Sequence, residues 1–238
     1  MSSANITSLS ARDRLIVALD VPDTATAERL AGSLTGHVGV FKIGLELAMS
    51  GGIDLARDLA ADGHNVFLDL KLLDISNTVT KAVENAANQG FAFLTVHAYP
   101  AAMRAAVAGL GDSKLCLLGV TVLTSLNTAD LAEAGYVDAP EALVINRAKS
   151  AAATGMGGIV CSPKEVKAVR AQTGTSLTIV TPGVRPAGSD TGDQKRVATP
   201  ASAIKSGADY LVVGRPITQS RDPATAAAEI VTEIATAL

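Results

Sequence analysis

The sequence has no tryptophan and only four phenylalanines and three tyrosines among 238 residues. A core of the size such a chain can build must then come from Ala, Val, Leu and Ile, which suits parallel strands covered by helices. There are two cysteines, Cys116 and Cys161, each within an apolar run and without CxxC spacing. They read as buried free thiols rather than a disulfide or zinc site. The histidines are three and scattered. His37 and His64 fall in loops before strands and read as solvated; His97 ends a strand and reads as a core histidine bonded to a neighbour. No His/Cys/Glu cluster has ligand spacing, so no metal site is expected. Positive charge is not in excess, with 20 Lys and Arg against 23 Asp and Glu. A net charge of -3 and a pI near 5.6 exclude a general nucleic-acid surface, and any phosphate recognition must be local. No apolar run is long enough to span a membrane or follow the polar residues 1–5 as a secretory signal, so no membrane partner and a cytoplasmic location are expected. With no linker, composition shift or low-complexity segment, residues 1–238 are expected to form one domain.

Eight apolar, β-rich segments are present, at 15–19, 38–43, 66–70, 93–96, 115–122, 158–160, 177–180 and 210–213. Between them lie Ala-rich stretches of helical character at 24–33, 45–61, 80–88, 101–108, 142–153, 164–172 and 201–206, and Pro223 opens a last one to residue 238. Strands alternating with helices argue for βαβ units, and a count of eight favours an α/β fold of the closed (β/α)8 TIM barrel type over an open sheet.

One stretch, 66–79, carries charge inside an apolar run. Asp69 and Lys71 are two residues apart on a strand and so point to one face. Asp74 lies past the strand's end and must come from a loop or helix start. An edge-strand ion pair with Asp74 as a helix N-cap is one reading of this pattern. A functional pair is the other, because charges amid buried residues need partners or a task.

In a barrel the active site lies at the C-terminal ends of the strands. Asp20, Lys42, Asp69, Lys71 and Thr124 all fall at that rim, as do Pro182, Gly183 and Arg185 after strand seven and Gly214 and Arg215 after strand eight. The last two loops place Gly ahead of Arg, a pattern suited to gripping phosphate. The Gly-punctuated segment 188–194 reads as a lid whose Gln194 could reach the same phosphate, or as an ordinary surface loop.

Taken together, Asp69-x-Lys71-x-x-Asp74-Ile75-x-x-Thr78, Phe41-Lys42-Ile43-Gly44, Val122-Leu123-Thr124-Ser125, Thr181-Pro182-Gly183-Val184-Arg185 and Val213-Gly214-Arg215-Pro216-Ile217-Thr218 resemble the orotidine 5'-phosphate decarboxylase family, in its short bacterial form. The resemblance runs from 15 to 218. It implies a cofactor-independent decarboxylation of orotidine 5'-monophosphate to uridine 5'-monophosphate, with Lys71 protonating C6 and Lys42, Asp69 and Asp74 completing the catalytic set. It further implies that Asp20, Lys42, Ile75, Thr78, Thr124, Pro182, Arg185, Gln194, Gly214 and Arg215 bind substrate. A homodimer follows, in which Asp74, Ile75 and Thr78 reach the partner's site; Asp74 then need not share the face of Asp69 and Lys71. Two departures are present: relatives usually carry His where this chain has Leu73 and Pro where it has Ser76. Ser can still begin a helix, so a local change in stiffness is expected. The alternatives are a magnesium-dependent sugar-phosphate decarboxylase or synthase of related fold, whose acidic metal ligand on strand two is here Lys42, and a non-catalytic nucleotide-binding barrel.

Overall fold

The computed structural model describes residues 9–186 and 198–238. Eight parallel strands close into a barrel in sequence order: β1 (Leu15–Ala18), β2 (Val40–Gly44), β3 (Val66–Leu72), β4 (Phe93–His97), β5 (Cys116–Val120), β6 (Gly158–Val160), β7 (Thr178–Thr181) and β8 (Tyr210–Val213). Closure is made by β1, which pairs with β2 on one side and with β8 on the other, Ile16 standing opposite Val40 and Val212. Around the barrel lie α1 (Thr24–Leu34), α2 (Leu45–Leu47), α3 (Ile53–Ala61), α4 (Ser76–Ala87), α5 (Pro100–Leu110), α6 (Thr128–Glu133), α7 (Pro140–Thr154), α8 (Val166–Thr173), α9 (Pro200–Lys205), α10 (Arg215–Thr218) and α11 (Pro223–Ala235).

The few aromatic residues are spent where they fill most. Inside the barrel Phe67 meets Phe93 edge-on at 5.8 Å and Phe93 meets Tyr210 at 5.1 Å, packed with Ile16, Val40, Leu118 and Val212. The layer between strands and helices is mostly aliphatic, with Phe41 and Phe91 as its buried aromatic members. Helix starts follow local chemistry. The Asp23 carboxylate accepts the Thr26 N–H ahead of α1, Asn127 and Asp130 form a reciprocal capping box at α6, and proline opens α5, α7, α9 and α11. Both cysteines are buried and free.

Three sequence expectations are corrected. The segment 45–61 is not one helix: Ser50 leaves helical geometry and Gly51 takes φ 90°, separating α2 from α3 through a wide turn at Ala48–Gly52. A residue with Cβ strongly disfavours that conformation, so the Gly pair sets the break. His64 is half-buried, its ring edge-on to Phe41 at 5.2 Å, rather than solvated. Asp74 does not cap α4; the N-cap position is Ile75, without a side-chain cap bond, and the Asp74 carboxylate accepts the adjoining Ile75 N–H. Ser76 does open α4.

Candidate active site

A cavity of about 740 Å³ opens at the C-terminal ends of the strands. Its apolar lining is made by Ala18, Phe67, Val120, Val160 and Val212, from five strands, Phe67 reaching it from low on β3. Four charged groups stand in a row along one side. The Lys42 Nζ donates to Asp20 Oδ1 at 2.9 Å and lies 3.5 Å from Asp69 Oδ2, while the Lys71 Nζ donates to Asp69 Oδ1 at 2.9 Å. The signs alternate from Asp20 through Lys42 and Asp69 to Lys71. Lys42 is 5% exposed, so its ammonium has exchanged water for two carboxylates. Gly44 gives this row its space: a Cβ there would stand 2.6 Å from Asp20 Oδ1 and 2.9 Å from Lys42 Nζ.

Asp69 and Lys71 meet through irregular backbone rather than simple alternation. The β3–β4 register runs Phe67 with Phe93 and Leu68 with Leu94, then resumes at Leu72 with Val96. From 68 to 72 is four steps and from 94 to 96 is two, so β3 carries two extra residues there. Lys71 sits at φ 50°, the one non-glycine residue with positive φ among those described. Such a conformation costs about 1–3 kcal/mol and persists where neighbours enforce it, often at functional sites. The neighbour is Thr95 on β4. It accepts the Lys71 N–H at 2.9 Å and donates to Asp69 Oδ1 at 3.0 Å.

Burial pushes the Asp69 carboxyl up, but the ammonium groups of Lys42 and Lys71, with hydrogen bonds from Lys71 and Thr95, outweigh it and hold its pKa below the ordinary value. His97, at the end of β4, is pushed down, first by burial and then by the charges of Lys71 and Arg147. It lies edge-on to Tyr99 at 6.4 Å and makes no side-chain hydrogen bond among the described residues, unlike the bonded histidine expected.

The other side of the cavity is made by loops. Thr124 and Ser125 follow β5, Thr124 being buried; Pro182, Gly183 and Arg185 follow β7, and Gly214 with Arg215 follows β8. Gly183 takes φ 76°, and Arg185 Nη1 donates to the Val184 carbonyl at 2.8 Å. Arg215 is exposed at the first residue of α10. Thus Asp20, Lys42, Asp69, Lys71, Thr124, Pro182, Arg185, Gly214 and Arg215 converge on one space. Asp74, Ile75 and Thr78 do not line it: they are exposed at the start of α4, Ile75 by 72%. Gln194 and the segment 188–194 fall outside the described residues. Sequence reading missed Thr95, a lone hydroxyl in the apolar run Phe93-Leu94-Thr95-Val96, and Gly44.

A family model described as the orotidine 5'-phosphate decarboxylase / HUMPS family matches residues 13–230. The chain belongs to this family. A relative from Rhodopseudomonas palustris (strain BisA53), named orotidine 5'-phosphate decarboxylase, is 55% identical over 226 residues, which are 95% of this chain and 96% of that one. The crystal structure of orotidine 5'-phosphate decarboxylase from Lactobacillus acidophilus superposes with a TM-score of 0.81 at 36% identity, covering 92% of this chain and 98% of that one. An uncharacterized conserved protein from Geobacillus kaustophilus reaches 0.79 at 32% identity, over 92% and 99% of the two chains. The orotidine 5'-phosphate decarboxylase / HUMPS family thus matches the barrel from β1 into α11. Among the described residues, no group of three or more His, Cys, Asp and Glu could hold a metal ion, and no helix is long and apolar enough to cross a membrane.

Proposed function

We propose that the protein decarboxylates orotidine 5'-monophosphate to uridine 5'-monophosphate and carbon dioxide, the last step of de novo UMP synthesis, without metal or organic cofactor. The observation that carries this reading is the alternating row Asp20, Lys42, Asp69, Lys71 beside an apolar lining. Loss of carbon dioxide leaves the C–C bond pair on C6, in the ring plane, with no adjacent π system to spread it. The protein must therefore supply the stabilising charge. The Lys71 ammonium, oriented by Asp69, faces the developing pair and then gives its proton to C6, forming the C–H bond; Lys71 regains a proton from water. Repulsion between Asp69 and the substrate carboxylate is a secondary contribution.

Lys42 holds Asp69 in place and bonds the ribose, and Asp20 takes a ribose hydroxyl. Arg185, Gly214 and Arg215 grip the phosphate, with Pro182 forming the adjoining wall. Thr124 reads the pyrimidine edge. Phosphate contacts far from C6 lower the barrier by fixing the ring against Lys71. Asp74, Ile75 and Thr78 stand outside the cavity of their own chain, which fits a homodimer in which Asp74 of the partner subunit approaches Lys71. One barrel domain over residues 1–238, acting in the cytoplasm, completes the reading. Lys42 opposes a magnesium-dependent reaction, because its ammonium occupies the place between Asp20 and Asp69 where a divalent ion would otherwise be drawn.

An absorbance assay with orotidine 5'-monophosphate tests this. Turnover that is unchanged by a chelator is expected. Turnover lost on chelation would revive the magnesium-dependent reading, and binding without turnover would point to a non-catalytic barrel.

A further inference from the structure

We propose that Thr95 is a positioning residue for the reaction, one that sets the Asp69 carboxylate and the Lys71 backbone together from beneath the cavity. The inference rests on the decarboxylase reading above and deepens it. Thr95 is fully buried and does not line the cavity, so it touches no substrate. Its hydroxyl accepts from the Lys71 N–H at 2.9 Å and has one proton to give. The nearer acceptor is Asp69 Oδ1 at 3.0 Å; the Leu68 carbonyl lies at 3.5 Å. Since the same Oδ1 accepts from Lys71 Nζ, a closed ring of bonds runs from the Lys71 backbone through Thr95 and Asp69 to the tip of the Lys71 side chain.

The place of this ring in the sheet gives it purpose. Between Leu68 and Leu72 the β3–β4 ladder loses register, and Lys71 takes its left-handed conformation there. The Lys71 N–H would be left without its ladder partner, and Thr95 supplies one. A threonine needing only its own satisfaction can bond a neighbouring strand's carbonyl, as Thr121 does with Val160 at 2.8 Å. Thr95 instead bonds two parts of the charged pair. It thereby fixes the direction in which the ammonium points, and proton delivery over a short distance depends strongly on direction.

Thr95→Val keeps the shape and removes both bonds; Thr95→Ser keeps both bonds. The expected result with orotidine 5'-monophosphate is kcat for Thr95→Val down about tenfold or more with KM within about threefold, and Thr95→Ser within about threefold of wild type in both. The acid limb of the Thr95→Val kcat profile should move to higher pH, because ionised Asp69 has lost a donor. Thr95→Val with kcat within about twofold of wild type and an unmoved acid limb overturns the proposal, as does Thr95→Ser no better than Thr95→Val. A carbon-detected NMR titration of the Asp69 carboxyl needs no substrate, so it separates this inference from the reading it rests on. A raised Asp69 pKa in Thr95→Val but not in Thr95→Ser supports the proposal, and equal values refute it even if the wild type turns over no substrate. Should Thr95→Val not fold, Thr95→Cys against Thr95→Ser, differing in one atom, decides: a lower kcat for Cys supports the proposal and equal kcat refutes it.

Discussion

Asp69→Asn keeps the shape of the side chain and one acceptor oxygen but removes the charge between Lys42 and Lys71. Its effect on folding is bounded by what each ammonium has left. Lys42 keeps Asp20 at 2.9 Å, and the Lys71 side chain, 29% exposed, can turn to water. The cost should fall below the about 3–5 kcal/mol of stranding a fully buried charge. About 1–2 kcal/mol lowers Tm by about 2–8 °C in a chain of this size. The effect on turnover is larger, because Lys71 loses the group that aims it: a fall in kcat of about 10²–10³-fold, or about 3–4 kcal/mol, is expected. The pH dependence has a definite sign. The folded-state pKa of Asp69 is lowered, so its stabilisation is present above the unfolded value and is lost as pH falls through the folded one. The Tm gap between wild type and Asp69→Asn should stay level from about pH 7 to 5 and narrow below about pH 4. Absorbance kinetics and melting by circular dichroism measure both effects. A variant with kcat within about tenfold of wild type, or a gap that closes between about pH 7 and 5, would refute the reasoning about this carboxylate.

Mixing chains bearing Lys71→Ala with chains bearing Asp74→Ala should restore activity, since a hybrid dimer has one site with both groups; inactivity despite hybrid formation shown by native mass spectrometry would place the whole site within one subunit. Arg215→Ala should raise KM for orotidine 5'-monophosphate by about ten- to a hundredfold, the worth of a charge-assisted bond to phosphate, while leaving the bare nucleoside almost unaffected. Equal effects on the two substrates would remove Arg215 from the phosphate site.

Much of the barrel was legible because each strand is a compact apolar run and most of the longer helices are Ala-rich stretches. What escaped was set by geometry that residue type does not carry. The break at Gly51 lies in a segment whose apolar content suits one helix, and only its Gly51-Gly52 pair hints at a turn. The short α6 depends on the reciprocal bonds of Asn127 and Asp130 within a polar loop. Asp69 and Lys71 were paired on strand alternation alone, yet their contact crosses a stretch where β3 carries two residues more than β4. Thr95 was invisible for the same reason: only the register of β4 against β3 brings its hydroxyl to those two residues. Asp20 and Lys42 were readable as rim charges, because strand ends mark the rim, but their 2.9 Å pairing required Gly44 to leave space.

The most direct measurement is single-turnover decarboxylation of orotidine 5'-monophosphate by wild type and Lys71→Ala, each checked for native folding by circular dichroism. Wild type should release uridine 5'-monophosphate, whereas folded Lys71→Ala should release none above the uncatalysed background. Near-normal release by Lys71→Ala would contradict the assignment of charge stabilisation and proton delivery to that ammonium.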